Sequence, residues 1–169
     1  MKEKTAKESK TIMTQIVLPN DTNPLGNLFG GQLLAWMDLA SSVSAKRHSE
    51  GLVVTASVSN VSFNHPIPLG SVVTLEAQVT RAYKTSMEVY VDVFVEDSSG
   101  KNRFKANSAI YIFAAVDVDG NKRRVPEIIA ESEQEKDRYK SALRRRELSL
   151  VLAGKMSAND AKELKSLFN

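Results

Sequence analysis

The chain has no cysteine. That excludes a disulfide framework, a thiolate nucleophile and every cysteine-based metal site, and it fits a cytoplasmic protein. Histidine is nearly as scarce. His48 and His65 are the only two, and no cluster of carboxylates accompanies either, so the ingredients of a metal centre are missing. A surplus of one charge is lacking too. Twenty-three Lys and Arg face 20 Asp and Glu, for a formal charge of +3. This favours small anionic molecules mildly and is too little to argue for nucleic acid. No apolar run approaches the ~20 residues of a membrane span, and Met1-Lys2-Glu3-Lys4-Thr5 has no secretory core, so no membrane association is expected. No Gly-x-Ser-x-Gly segment occurs, which leaves a serine hydrolase of the α/β type without support.

What is present suits one domain with an appendage: 169 residues, 42% apolar and 25% charged. Residues 1–10 are charged and read as a flexible N-terminus. Thr11 to Leu18 is rich in β-branched residues and reads as a strand. Pro19 to Asn27 is a loop. A helix is expected from Gly30 to Ser49, closed by Lys46, Arg47 and His48, with His48 on its surface. Strands follow at Val53–Phe63, around Val73–Val79, at Met87–Glu96 and at Phe104–Asp117. The last is apolar on both faces in its second half, which suggests an interior strand. From Pro126 the chain turns to Glu, Lys and Arg. A solvent-facing helix is expected over Glu127–Glu147, including Arg144-Arg145-Arg146, and a short one over Ala158–Phe168 capped by Ser157. Hairpins between successive strands give an antiparallel sheet. The helix carries Ala35, Ala40, Ser41, Ser42, Ser44 and Ala45, small enough for a curved sheet to approach. The fold class is α+β, a sheet wrapped around one central helix.

Asp38 is the only charged residue between Asp21 and Lys46. A lone carboxylate on an apolar helix is costly to bury and needs a reason, either a satisfied bond to Ser41, Ser42 or a neighbouring loop, or chemistry. Gly30-Gly31 opens the helix, where backbone N–H groups can hold an oxyanion and no side chain obstructs them. Asn23, before a proline, is a turn former that can also polarise a carbonyl or position water. Asn27 can cap the helix or orient Asn23. His65, beside Pro66, reads as a turn residue. Lys84-Thr85-Ser86 between two strands, and Lys122, Arg123 and Arg124 after an Asp-Gly turn, are equally ordinary loops or phosphate partners.

Several segments resemble the hotdog-fold acyl-CoA thioesterases, specifically bacterial acyl-CoA hydrolases related to the brain-type cytosolic acyl-CoA hydrolases. They are Pro19-Asn20-Asp21-Thr22-Asn23, Gly26-Asn27-Leu28-Phe29-Gly30-Gly31, Trp36-Met37-Asp38 and Phe63-Asn64-His65-Pro66, with Tyr83-Lys84-Thr85-Ser86-Met87 and Ala114-Ala115-Val116-Asp117 through Arg124-Val125-Pro126. The resemblance covers Thr11 to Pro126 and implies a hotdog domain over 11–126 with a helical extension over 127–169. It implies hydrolysis of acyl-CoA to a free acid and coenzyme A in lipid metabolism, without a metal or redox cofactor. Catalysis would fall to Asn23, Asp38 and Gly31. Substrate binding would fall to Asn27, Phe29, Gly30, Phe63, Asn64, Lys84, Thr85, Ser86, Arg123 and Arg124. Phe29 stands where many relatives have His, so no imidazole role exists there. The resemblance also implies a homo-oligomer, a dimer assembled as a trimer of dimers, with Asn23 and Asp38 of one site drawn from different subunits. Two readings compete: a non-catalytic acyl-CoA sensor, which has no need for Asp38, and a nucleic-acid module built on the arginine runs.

Overall fold

The period-two segments form one five-stranded antiparallel sheet in the computed structural model, which describes residues 2–63 and 65–168. The elements in chain order are β1 (Lys4–Thr5), β2 (Thr11–Ile16), α1 (Gly30–Ser49), β3 (Leu52–Ser59), β4 (Val72–Ala82), β5 (Ser86–Glu96), β6 (Arg103–Val116), β7 (Ile128–Ile129), α2 (Glu133–Leu152) and α3 (Lys162–Lys165). The sheet order is β2-β4-β5-β6-β3. Hairpins join β4 to β5 and β5 to β6, and β6 has neighbours on both sides, as its two apolar faces require.

The sheet curls around α1. Alternate residues of β4 (Val73, Leu75, Ala77, Val79) and β5 (Met87, Val89, Val91, Val93, Val95) are buried in the same core as Leu33, Trp36, Met37, Ala40 and Ala45 of α1. Each large apolar side chain so buried contributes about 1.5–3 kcal/mol. Small residues set the close approach. Ala40, Ser41, Ser44 and Ala45 are almost fully buried, and the hydroxyls of Ser41 and Ser44 find no partner among the described residues. This is the hotdog arrangement, α+β with a C-terminal helical extension.

Across the middle of β5 the other face of the sheet is polar. β5 presents Glu88, Tyr90 and Asp92 to it, and α2 covers them. Arg145 forks onto Glu88 through Nε and Nη2 at 3.0 and 2.7 Å. Arg138 Nη2 lies 2.6 Å from Asp92, and Gln78 donates to Glu135 at 2.7 Å. Arg81 lies over the Tyr139 ring at 3.9 Å. The second helix is therefore not the solvent-facing rod its composition suggests. Arg138 and Arg145 bind carboxylates that the strands bury, and Arg146 lies over the Tyr83 ring at 4.0 Å.

Other expectations are corrected at the chain ends and turns. Residues 1–10, expected to be flexible, include β1, which pairs in parallel with β7, and Ala6 and Ser9 are buried. Ser9 Oγ accepts from Val79 N at 2.9 Å, so this segment covers the rim of the sheet. β3 ends at Ser59 rather than Phe63, because a register shift at Thr55/Ser57 bends it and Asn60 turns away at φ +56°. α3 is shorter than expected, since Ser157 Oγ closes a local turn on Asn159 N and the helix starts only at Lys162. His48 is buried, not on the surface. The chain returning after β6 lays Pro126 over it, and the Pro126 carbonyl is 2.9 Å from Nε2. That carbonyl can only accept, so Nε2 carries the proton and Nδ1 is left buried with no partner among the described residues.

Two consequences can be measured. Arg145→Ala strands the Glu88 carboxylate, which is 1% exposed, and should lower unfolding stability in urea by about 3 kcal/mol. A loss within the ~0.5 kcal/mol of an ordinary surface change would make the fork incidental. Burial lowers the His48 pKa below its usual 6.5. The unfolded chain then takes up the proton first, so stability is complete above 6.5 and declines as pH falls from there through the lowered folded value. The thermal midpoint should drop between pH values of about 7 and 5.5. His48→Gln should flatten that drop, and an unchanged drop would clear His48 as its cause.

Candidate active site

The loop before α1 is built around one asparagine. Asn23 Oδ1 accepts from Leu25 N and Asn27 N at 3.0 and 3.2 Å, and Asn23 N donates to Asn27 O at 2.8 Å. This is the turn that Asn-Pro favours, with Gly26 at φ +74° closing it. The side-chain oxygen is thus committed to the loop. The Nδ2 group, with both its hydrogens, has no partner among the described residues. Asn27 orients Asn23 through its backbone, not its side chain, and it does not cap the helix. The residue at the cap position is Phe29, and it makes no side-chain capping bond.

The start of α1 is consequently open. Gln32 N and Leu33 N both donate to Phe29 O at 3.0 and 3.1 Å. Gly30 N and Gly31 N have no acceptor among the described residues, so two donors at the positive end of a helix dipole are available. Two aromatic rings lie against the glycines. A Cβ on Gly30 would meet Phe63 Cζ at 3.3 Å, and one on Gly31 would meet Phe29 Cε1 at 2.6 Å. Glycine at position 31 thus permits both the ring contact and the exposed N–H. Both rings are more than half exposed and form apolar walls at the helix start.

Asp38 lies two turns along α1, roughly 10 Å from the glycine pair at ~1.5 Å per residue. It is half-buried and faces the edge strand β3. Oδ1 accepts from Thr55 Oγ1 at 2.7 Å, and Oδ2 has no hydrogen-bond partner among the described residues. Neither serine weighed as its partner holds it: Ser42 Oγ donates to Leu39 O, and Ser41 Oγ is unpartnered. Tyr111 of β6 lies close enough to feel the Asp38 charge. Its hydroxyl donates to Leu34 O at 2.9 Å, the carbonyl one helical turn before Asp38. Burial, and then the Asp38 charge, push its phenol up to about 12, so it stays a neutral donor.

Thr55 and Tyr111 have no signal in the sequence. Each sits within a β-branched or aromatic strand run, 17 and 73 positions beyond Asp38, and only strand pairing brings them near it.

The remaining candidates divide by place. Asn64 lies outside the described residues. His65 is exposed and packs edge-on against Phe104 at 5.7 Å. Lys84, Thr85 and Ser86 form the β4–β5 turn, where Thr85 O accepts from Ala115 N and Lys84 O from Val125 N. Lys84 and Arg124 share a groove of about 450 Å³ with Tyr83 and Tyr139. Arg123 instead donates to Ser49 O at 2.6 Å, and any side chain at Gly51 would strike its guanidinium. It closes the C-terminal end of α1. These cations therefore gather at the opposite end of a 20-residue helix from Gly30-Gly31, about 30 Å away. One protomer does not bring them together with Asn23 and Asp38.

Comparison with known proteins shows the family of the chain. The model of the thioesterase superfamily matches residues 25–100. The chain is 39% identical over 139 residues to the uncharacterized acyl-CoA thioester hydrolase YkhA of Bacillus subtilis, covering 82% of this chain and 81% of that one. It is 38% identical over 141 residues to mouse acyl-coenzyme A thioesterase 11, of which it spans only 24% while 83% of this chain is matched. Among solved structures, an apo hexameric acyl-CoA thioesterase superposes with a TM-score of 0.87 at 36% identity, over 90% of this chain and 98% of that one. The Staphylococcus aureus acyl-CoA hydrolase, solved with butyryl coenzyme A and coenzyme A, superposes with a TM-score of 0.81 at 32% identity, over 89% of this chain and 94% of that one. Variants of the latter with one asparagine, one aspartate or one threonine replaced by alanine superpose equally well.

Proposed function

The chain belongs to the acyl-CoA thioester hydrolases of the thioesterase superfamily, and from that premise we propose that Asn23, Gly31 and Asp38 are the groups that cleave its thioester. The enzyme hydrolyses acyl-CoA to a free carboxylic acid and coenzyme A. The observation that carries the assignment is the asymmetry of the Asp38 carboxylate. One oxygen is fixed by Thr55 and the other has no partner among the described residues, as a base awaiting water requires. The variants of the staphylococcal enzyme support it. There the asparagine precedes the aspartate by 15 positions and the threonine follows it by 17, the same spacings as Asn23, Asp38 and Thr55.

The substrate carbonyl lies at the start of α1, with its oxygen toward Gly31 N–H and the Nδ2 donors of an Asn23. Asp38 removes a proton from water as the water oxygen bonds to the carbonyl carbon. Negative charge develops on the carbonyl oxygen, where fixed donors are typically worth 10²–10³-fold in rate. On collapse the C–S bond breaks, the acid forms, and the proton on Asp38 passes to the departing sulfur. Phe29 and Phe63 wall the thioester, and Asn27 and Gly30 complete the pocket. No metal or redox cofactor takes part.

The same reading covers assembly. β3 (LVVTASVS) is an edge strand with no charge and no proline to discourage pairing. Pairing it with its copy about a two-fold axis normal to the sheet gives a dimer with antiparallel α1 helices. The C-terminal end of one α1 then lies beside the Gly30-Gly31 start of the other. Lys84, Thr85, Ser86, Arg123 and Arg124 of one protomer thereby reach the coenzyme A phosphates of its partner's site, and Asn23 faces the partner's base. Three such dimers form the hexamer. A cytoplasmic role in lipid metabolism fits the absence of cysteine and the substrate.

Thiol release across a panel of acyl-CoA chain lengths tests the activity. Asp38→Asn should lower kcat by at least ~10²-fold, and Thr55→Val by roughly tenfold, since it frees the carboxylate without removing it. Near-normal turnover by Asp38→Asn would end its assignment as the base. Refolding Asn23→Ala with Asp38→Ala in equal amounts should return about a quarter of wild-type activity, because half the dimers are mixed and each holds one intact site. A dead mixture with proven subunit exchange would place both residues in one chain.

A further inference from the structure

We propose that the C-terminal end of α2 is a clamp for a second copy of this chain, closing over the seam between the two β3 strands on the outer face of the sheet. The inference rests on the dimer reading above.

The path of α2 is the first ground. It crosses the outer face diagonally: Glu135 meets Gln78 of β4, Arg145 meets Glu88 of β5, and Leu148, Ser149 and Leu152 reach Ile110 and Ile112 of β6 and the edge strand β3. The helix thus ends over the edge strand, and Leu152 there is 79% exposed.

The composition of that edge is the second. Val53 packs on the core and Thr55 turns to Asp38, so by alternation Leu52 and Val54 point to the outer face, while beyond the register shift Val58 pairs with Tyr111 and shares its inner face. Leu52 and Val54 are half exposed, as is Leu148. Leu148 and Leu152 line a groove of about 340 Å³ with Ile110 and Ile112, and Leu52 and Val54 lie on the same outer face along the unpaired strand edge. Scattered surface leucines need no explanation, but a contiguous set beside an open edge does. The one charged pair in the groove, Glu88 with Arg145, is mutually satisfied, so its floor presents no unpaired charge.

Symmetry identifies the occupant. A two-fold axis normal to the sheet keeps both α2 helices on the outer face and brings their C-terminal ends toward the seam from opposite sides. The patch is then self-complementary, with Leu148 and Leu152 of one protomer covering the apolar outer stripe of the other.

The test uses the whole chain. Leu148→Glu/Leu152→Glu keeps strong helix formers at two exposed positions and should leave the circular dichroism spectrum unchanged. It should weaken dimer association at least ~10-fold in sedimentation velocity, a change of 1.4 kcal/mol. A second readout does not depend on destabilising anything. In this cysteine-free chain, Leu152→Cys should react slowly with a maleimide in the assembled protein and rapidly once dilution separates the subunits. A dimer of wild-type strength in the double variant, or full-rate labelling of the assembled protein, overturns the clamp while leaving the dimer intact. A wild type that is monomeric at all concentrations overturns the dimer reading itself.

Discussion

The close approach of α1 to the curled sheet is the constraint on which the rest depends. Ala40, Ser41, Ser44 and Ala45 allow it, and the unpartnered hydroxyls of Ser41 and Ser44 are its cost, of order 1–3 kcal/mol each. With bulkier residues on that face the helix would ride higher, and Asp38 would no longer meet the Thr55 hydroxyl. The same packing sends the two ends of the helix to different fates. The C-terminal end is tied down by Lys4, which donates to Arg47 O at 2.7 Å, and by Arg123 on Ser49 O. The N-terminal end has no capping side chain, and its first N–H groups have no acceptor, among the described residues. An open N-terminus is a local loss that capping would recover at about 1 kcal/mol, so its retention on an otherwise well-anchored helix suits a place where substrate oxygen supplies the missing acceptor.

Much of the fold was legible because it is local. Alternation located β4, β5 and β6, and Gly30 and the Lys46-Arg47-His48 run bounded α1 to the residue. The two apolar faces of β6 placed it inside the sheet. What could not be read involves partners distant in sequence. Nothing near Glu88 announces that an arginine 57 positions later will fork onto it, so a charged helix reads as solvated. His48 looks like a surface cation until Pro126 covers it. The N-terminal residues look frayed until Ile128 and Ile129 give β1 a strand to pair with.

The candidate site divides in the same way. Asp38 was visible as an isolated charge, Gly30-Gly31 as a helix start, and Asn23 as a turn former, because each is unusual in its immediate context. Thr55, which holds the carboxylate, is an unremarkable threonine in a strand. Its meaning comes only from the register of β3 against α1. The basic residues were visible too, but not their distribution: Arg123 is occupied in closing a helix, while Lys84 and Arg124 share a groove at its far end.

The polar strip on the outer face of β4 and β5 bears on how the chain is made. Synthesis delivers β2 through β6 before any of α2 exists. A sheet whose second face was apolar throughout would wait in water with a sticky surface, an invitation to aggregate. Here the middle of that face carries Gln78, Glu88, Tyr90 and Asp92, which water can solvate until Arg138 and Arg145 arrive. The sheet and α1 can therefore close their core as a soluble intermediate on the ribosome, and the last helix docks onto a surface already set in register by its charges.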